Sequence, residues 1–216
     1  MKYKCIIFDH DDTTVNSTAE VHFPCFLEFL KVKGIDFKCT LEEYVKYNFE
    51  PGLLKFYKDI CKMSPELMEE EYKFWIEYAK HHRAVSFKGI KEIMEEHKRN
   101  GGILTVVSHS YGDNILRDYE YNGLPKPDLI FGFEQPREEL KPSPIPVFKI
   151  MKEYNLEPKD VVVIDDLKPG YLMAKASGVD FIASSWCFKI EENIKYMKEH
   201  AKYFCNSVEE LKEVLK

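Results

Sequence analysis

Three carboxylates lie within four residues near the start of the chain, directly after a short apolar run. They are Asp9, Asp11 and Asp12, and the hydroxyl residues Thr13 and Thr14 follow them. Carboxylates this close repel one another, and a bound cation relieves that repulsion. Taken alone, the segment also fits an acidic turn after a surface strand, with Asp12 or Thr13 capping a helix. The string therefore predicts either a cation site or a polar turn.

Three further polar clusters follow apolar runs, in this chain order: Ser108-His109-Ser110, then Lys141-Pro142-Ser143-Pro144, then Asp165-Asp166. Because the carboxyl ends of parallel strands meet at one edge of a sheet, these side chains are expected to meet the first carboxylates. Mg²⁺ prefers oxygen ligands, so an ion held by carboxylates can bind a phosphate oxygen. A lysine and a serine can contact the same phosphate. An ionised Asp can attack phosphorus, and a second Asp two residues on can protonate the leaving oxygen. The pattern predicts phosphoryl chemistry.

The elements that would position these residues follow an alternating pattern. Apolar, β-branched runs predict five strands, at residues 3–8, 103–107, 129–133, 161–164 and 181–183. Helical patterns lie between the later strands, at residues 88–99, 113–121, 145–154 and 171–176. This alternation predicts right-handed βαβ units and a Rossmann-like α/β core with a five-stranded parallel sheet.

The segment from residue 17 to residue 82 breaks this alternation. It is rich in aromatic residues, Glu and Lys with helical periodicity, and Pro51-Gly52 divides it. So much helix is too long for a simple crossover between two strands. We therefore expect an α-helical cap of four helices at residues 17–82, lying over the strand ends, and an α/β core formed by residues 1–16 and 83–216.

Composition narrows the classes of partner. The formal net charge of −6 argues against a nucleic-acid-binding face. No apolar segment approaches the ~20 residues of a membrane span, and the first apolar run is too short for a signal sequence. The six cysteines are scattered without a CxxC pair, which favours a reducing compartment. These features predict a soluble cytoplasmic protein with a small-molecule partner, and they leave its oligomeric state open.

The four polar clusters, in this order, resemble the motifs of the haloacid dehalogenase-like (HAD) hydrolase superfamily over essentially the whole chain. The first motif, DxDx[TV], matches Asp9-His10-Asp11-Asp12-Thr13. The second matches Ser108, and the third matches Lys141 with its following Pro-x-Pro. The fourth matches the acidic pair Asp165-Asp166 with Gly170. A single DxD string is weak evidence, whereas four motifs in order at strand ends are specific.

The resemblance implies a role for each matched residue. Asp9 would be the nucleophile and Asp11 the general acid and base. Ser108 would hydrogen-bond the phosphoryl group, and Lys141 would stabilise its charge. Members that dehalogenate generally lack the second Asp of the first motif, so the presence of Asp11 favours phosphoryl transfer.

The same resemblance implies a Mg²⁺ site. Asp9, the backbone carbonyl of Asp11 and Asp166 would hold the ion. Asp165 has two expected roles that stay open, as a further ligand or as a cap on its own loop through backbone N–H groups.

The chain departs from the family pattern at several positions. Asp12 stands where Gly is most common, and we expect it to supply the same turn conformation, with a role in metal binding as the less favoured alternative. His109 stands where Asn is common, and it is expected to touch phosphate through its backbone or to line the cleft. In relatives with this cap placement, the loop around Glu50 reads the substrate. Lys55, one turn further on, would meet a substrate anion or face solvent.

These expectations predict a Mg²⁺-dependent phosphatase acting on a small phosphorylated metabolite, in the phosphoglycolate phosphatase and β-phosphoglucomutase-like branch. A phosphomutase of the β-phosphoglucomutase type is one alternative. A mutase needs a cationic cap loop, and Glu50 in that loop favours hydrolysis instead. A non-catalytic phosphate-binding or regulatory protein is the second alternative, although such a protein would be expected to have lost Asp9, Asp11 or Lys141.

Overall fold

The computed structural model describes residues 2–216 and divides into two compact units. One unit, here called the α/β unit, combines the residues up to Asn16 with Val85–Lys216. The other, here called the helical unit, is Ser17–Ala84. No helix within residues 2–216 is both long enough and apolar enough to cross a membrane.

The helical unit is built around an aromatic core. Its helices are α1 (Phe23–Lys33), α2 (Leu41–Tyr47), α3 (Leu53–Lys55) and α4 (Pro65–His81). π-Helical turns precede α1 and follow α3, and Ser64 caps α4 by accepting a hydrogen bond from the Leu67 N–H. The core side chains are fully or almost fully buried, among them Phe26, Phe29, Tyr44, Phe56 and Tyr57. Packing of these rings stabilises the unit, since each large aromatic buries ~150–250 Å².

The α/β unit contains one parallel sheet of six strands. In chain order these are β1 (Cys5–Phe8), β2 (Ile103–Val107), β3 (Leu129–Phe131), β4 (Val161–Asp165), β5 (Asp180–Ser184) and β6 (Tyr203–Cys205). Their spatial order is β3-β2-β1-β4-β5-β6, and every neighbouring pair is parallel. The predicted α/β class and parallel sheet are confirmed. The sequence predicted five strands, and the sixth, β6, is a three-residue edge strand that is too short to show a periodic pattern.

Helices cover both faces of this sheet. They are α5 (Ile90–Arg99), α6 (Gly112–Tyr121), α7 (Ile145–Glu153), α8 (Lys168–Ser177), α9 (Glu191–His200) and α10 (Val208–Leu215). Side chains alternate along β1, so Ile6 and Phe8 pack in the same cluster as residues of α5, α6 and α10. Cys5 and Ile7 lie in a second cluster with residues of α7, α8 and α9. The sequence did not predict α9, because only Asn193 and Met197 of that helix are buried.

The strand order changes direction at β1, which lies between β2 and β4. In open α/β sheets, ligands bind beyond the carboxyl ends of the strands at such a switch point. Backbone hydrogen bonds continue past the strand ends there: the Asp9 N–H donates to Ile164 O at 2.9 Å, and the Ser108 N–H donates to Phe131 O at 3.0 Å. The first residues after β1 and β2 are therefore held by the sheet itself.

Candidate active site

Lys141 bridges two carboxylates at the switch point. Its Nζ lies 2.8 Å from Asp9 Oδ1 and 2.7 Å from Asp165 Oδ2. The three side chains are almost completely buried, with exposed fractions of 6%, 7% and 1%. Burial by itself lowers the pKa of Lys141, but the charges of Asp165 and Asp9 raise it above its ordinary value. Lys141 therefore stays charged and holds Asp9 beside Asp165.

Asp9, Asp165 and Asp166 form an acidic cluster, with one ligand oxygen from each lying within 4.8 Å of the others. Burial raises the pKa of Asp165 to about 6, although the Lys141 ammonium acts in the opposite direction. Burial, followed by the charges of Asp165 and Asp9, raises the pKa of Asp166 well above its ordinary value. These shifts indicate that one ammonium does not compensate three carboxylates.

The acidic cluster fits a hard divalent cation. Asp9 Oδ1 is buried, and within residues 2–216 its close polar contact is the Lys141 ammonium at 2.8 Å. In the described part of the chain, the hydrogen bond that Asp166 Oδ1 accepts is a long one, 3.4 Å, from Thr13 Oγ1. Carboxylate oxygens with unused acceptor capacity and excess negative charge are what Mg²⁺ requires.

Asp165 also organises the loop that follows β4. Its Oδ1 accepts a hydrogen bond from the Leu167 N–H at 2.8 Å, so it caps this loop as well as facing Lys141. Gly170 in α8 packs against the same carboxyl group. A Cβ at Gly170 would lie 2.2 Å from Asp165 Cγ, so only glycine leaves room for this carboxylate.

Asp11 lies outside the acidic cluster, with its carboxylate directed at the residues after β2. Its Oδ2 accepts hydrogen bonds from Ser110 Oγ at 2.7 Å and from Ser108 Oγ at 3.4 Å. The family motifs assign no role to Ser110, although it lies two residues after Ser108 in the same polar segment. Its place in that polar segment, directly after β2, is the signal that could have identified it.

His10, between the two motif carboxylates in the chain, is buried and contacts α6. Its Nε2 lies 3.1 Å from Asp118 Oδ2 on α6, and its ring stacks on Tyr119 at 6.1 Å. Burial lowers the pKa of His10, but the Asp118 hydrogen bond and the charge of Asp11 outweigh it, and the net shift is upward. This pair connects the turn after β1 to α6, and the sequence did not reveal it.

His109 is exposed, in contrast to its two serine neighbours. Its Nε2 lies 3.1 Å from the backbone oxygen of Lys141, and its ring packs edge-on against Phe133. Loss of water around the ring and the charge of Lys141 both lower the pKa of His109. His109 therefore contacts the lysine loop.

The remaining predicted site residues are placed as follows. Asp12 has a φ of +57°, the left-handed conformation expected where relatives carry Gly. Glu50 and Lys55 belong to the helical unit, where both are exposed. Glu50 has an extended backbone, with φ of −145°, in the turn that precedes α3.

Comparisons with known proteins agree with this fold. A predicted phosphoglycolate phosphatase from Haemophilus somnus is 18% identical with a TM-score of 0.82, covering 100% of this chain and 99% of its own. CbbY from Rhodobacter sphaeroides, solved with phosphate, is 22% identical with a TM-score of 0.74, covering 97% of this chain and 96% of its own. A provisional β-phosphoglucomutase from Thermotoga maritima is 18% identical with a TM-score of 0.74, and the match covers 98% of both chains. At these identities the similarity establishes the fold alone.

Comparison with curated proteins found no match. The sequence model of the haloacid dehalogenase-like hydrolases matches residues 6–184, which include all four motifs and every residue of the acidic cluster. This chain therefore belongs to the haloacid dehalogenase-like hydrolase family.

Proposed function

We propose that this protein is a Mg²⁺-dependent phosphatase that hydrolyses a small phosphorylated metabolite through an aspartyl-phosphate on Asp9. The observation that carries the proposal is the position of Lys141, 2.8 Å from Asp9 and 2.7 Å from Asp165. A buried lysine beside Asp9 supplies positive charge where a phosphate would bind. An ionised carboxylate is the form that attacks phosphorus.

The reaction follows from the residues around this pair. Asp9 attacks the phosphorus, the ester bond to the leaving oxygen breaks, and Asp11 protonates that oxygen. Asp11 then removes a proton from the water that hydrolyses the aspartyl-phosphate. Ser108 donates a hydrogen bond to the phosphoryl group, and Lys141 offsets its negative charge.

The proposed metal ligands are Asp9, the backbone carbonyl of Asp11, and Asp166, with Asp165 contributing from its place beside Lys141. When bound, Mg²⁺ supplies positive charge to a phosphate oxygen and reduces repulsion between phosphate and carboxylates. Asp165 serves both expected roles in this proposal, because its Oδ1 caps the loop and the residue also contributes an oxygen to the acidic cluster.

Substrate selection is proposed to involve His109 together with Glu50 and Lys55 of the helical unit. Both of the latter are exposed and able to meet a ligand. The R. sphaeroides relative has also been solved, as a variant, with xylulose-(1,5)bisphosphate. A small sugar phosphate is the substrate class that this similarity suggests for testing.

The test is hydrolysis of p-nitrophenyl phosphate and of a panel of phosphorylated metabolites, with Mg²⁺ and with EDTA. Asp9→Asn is expected to reduce phosphate release by at least about 10³-fold, because the amide is not a nucleophile. Asp113→Asn, which alters an exposed carboxylate on α6, is the matched control and should retain activity. Full activity of Asp9→Asn would refute the proposal.

A phosphomutase remains the alternative, because one structural neighbour is a provisional β-phosphoglucomutase. The two activities differ in the fate of the phosphoryl group. A mutase would move phosphate between positions of a sugar phosphate without releasing inorganic phosphate, so the same panel, assayed for isomerised product, distinguishes them.

A further inference from the structure

Two serine hydroxyls converge on a single oxygen of Asp11. Ser110 Oγ donates to Asp11 Oδ2 at 2.7 Å, and Ser108 Oγ donates to the same atom at 3.4 Å. The Ser110 N–H in turn donates to Ser108 Oγ at 3.1 Å. The three residues thus form a closed hydrogen-bonded set at the end of β2, in which Ser110 makes the shortest contact with the carboxylate.

We propose that Ser110 is a positioning residue for Asp11, which holds Oδ2 as an acceptor so that the proton given to the leaving group resides on Oδ1. This inference rests on the proposed phosphatase function. It adds a residue to which the family motifs, as read from the sequence, assigned no role.

The chemistry of a protonated carboxyl group supports this assignment. Such a group carries its proton on one oxygen, and the other oxygen can only accept. A hydroxyl that donates to Oδ2 therefore favours the form with the proton on Oδ1. Ser110 is 4% exposed, so little water competes for this bond, and hydrogen bonds are stronger away from bulk solvent.

The backbone of Ser110 is held firmly enough to act in this way. Its carbonyl oxygen accepts a hydrogen bond from the Phe133 N–H at 2.9 Å. Gly132 packs so closely that an added Cβ would lie 2.8 Å from the same oxygen. Both the hydrogen bond from Phe133 and the packing of Gly132 therefore fix the backbone that carries the Ser110 hydroxyl.

Ser110 and Ser108 have different roles in this arrangement. Ser108 has the longer contact with Asp11, and the proposed function directs its hydroxyl to the phosphoryl group. When substrate binds, the 3.4 Å contact is given up, whereas the 2.7 Å bond from Ser110 persists. Ser110 would then be the residue that keeps the acid aligned during the step itself.

That step balances as follows. The Asp9 carboxylate forms a bond to phosphorus, and the bond from phosphorus to the ester oxygen breaks. The proton on Asp11 Oδ1 moves to the departing oxygen, which leaves as an alcohol, and Asp11 becomes a carboxylate whose Oδ2 still accepts from Ser110. A well-placed general acid contributes ~10²–10⁴-fold to such a step.

The test compares two aryl phosphates with leaving groups of different acidity. Phenyl phosphate releases a phenol of pKa about 10, which needs a proton as it departs, whereas 2,4-dinitrophenyl phosphate releases a stable anion. For each variant, the ratio of kcat/KM values for the two substrates is independent of the fraction of folded enzyme. The readout therefore separates a loss of acid positioning from a loss of stability.

Ser110→Ala is expected to lower kcat/KM for phenyl phosphate by about 10–100-fold and to leave that for the dinitrophenyl ester within about threefold. Ser110→Thr retains a hydroxyl and should restore the wild-type ratio. Ser177→Ala is the matched control, because that buried hydroxyl donates to backbone carbonyls of its own helix, at Met173 and Ala174. Should Ser110→Ala fail to fold, Ser110→Cys, with a weaker donor, provides the same comparison.

If Ser110→Ala lowers kcat/KM equally for both substrates, or for neither, the proposed role of Ser110 is wrong. The proposed phosphatase function would not be affected by that result. A folded wild-type protein that hydrolyses neither ester with Mg²⁺ would instead refute the proposed function, and this inference with it. The wild-type rates and the Ser110→Ala ratio therefore report on the two proposals separately.

Discussion

Glu71 on α4 is a carboxyl group buried inside the aromatic core of the helical unit. It is 7% exposed, and its Oε1 accepts a hydrogen bond from the Tyr57 hydroxyl at 2.9 Å. Burial raises the pKa of Glu71 from 4.5 to about 7, although the Tyr57 hydrogen bond and the charge of His22 act in the opposite direction. Glu71 is therefore protonated in the folded protein at mildly acidic pH, where the unfolded chain has it ionised.

The size of the resulting pH dependence follows from this shift. The pKa of Glu71 is higher in the folded protein than in the unfolded chain. The contribution of Glu71 to stability is therefore fully present below pH ~4.5 and is lost as the pH rises through ~7. The shift of about 2.5 units corresponds to about 3.4 kcal/mol in total. About 2.5 kcal/mol of that is lost between about pH 5 and pH 8. Because Glu71 is well buried, solvent screening reduces this contribution little.

Glu71→Gln should remove this pH dependence, since the amide retains an acceptor for Tyr57 and does not ionise. The measurement is urea unfolding at both pH values, followed by Trp75 fluorescence in a Trp186→Phe background so that α4 is the reporter. Between pH 5 and pH 8, the free energy of unfolding of the variant relative to that of its parent is expected to rise by about 2.5 kcal/mol. Glu69→Gln, on the exposed side of α4, is the control and should behave like its parent.

A Glu71→Gln protein that loses as much stability as its parent between the two pH values would refute the reasoning. Comparison with the parent is essential, because Asp165 also titrates from a raised pKa of about 6 in the α/β unit. That contribution is common to both proteins and cancels in the difference.

Two further predictions concern the acidic cluster. Gly170→Ala places a Cβ 2.2 Å from Asp165 Cγ, so we expect a loss of about 1–3 kcal/mol in thermal unfolding together with reduced phosphate release, and an unchanged Tm would contradict the packing argument. Mg²⁺ at about 100 times its Kd should stabilise the protein by about 2.7 kcal/mol in calorimetry. Asp166→Asn should abolish that gain and Asp113→Asn should retain it; an equal gain in both variants would place the ion elsewhere.

The strands of the α/β unit could largely be predicted because each is a short apolar run that packs on both faces, a pattern that is local in the chain. The predicted segment at 103–107 coincides with β2, and the segment at 161–164 is one residue shorter than β4. The structure differs where the local signal is weak. Strand β6 has three residues, and α9 buries only two side chains. Neither segment therefore shows a clear periodicity of apolar residues in the sequence.

The sequence by itself determined the family, because four motifs in the right order need no knowledge of distances. It also identified Asp9, Lys141 and the acidic pair Asp165-Asp166 as residues to be brought together at one sheet edge. In a βαβ pattern the carboxyl ends of the strands lie at one edge of the sheet. The motifs that follow the strands could therefore be predicted to lie close together.

Only the tertiary structure decided which atoms meet there. Asp11 and Ser110 are 99 residues apart along the chain, and Tyr57 and Glu71 lie on different helices. Whether a hydroxyl approaches a carboxylate to 2.7 Å depends on how strands and loops pack, which side-chain chemistry alone does not encode. The burial that raises the pKa of Glu71 is likewise a property of the assembled core, because desolvation is the sum of all neighbours that exclude water.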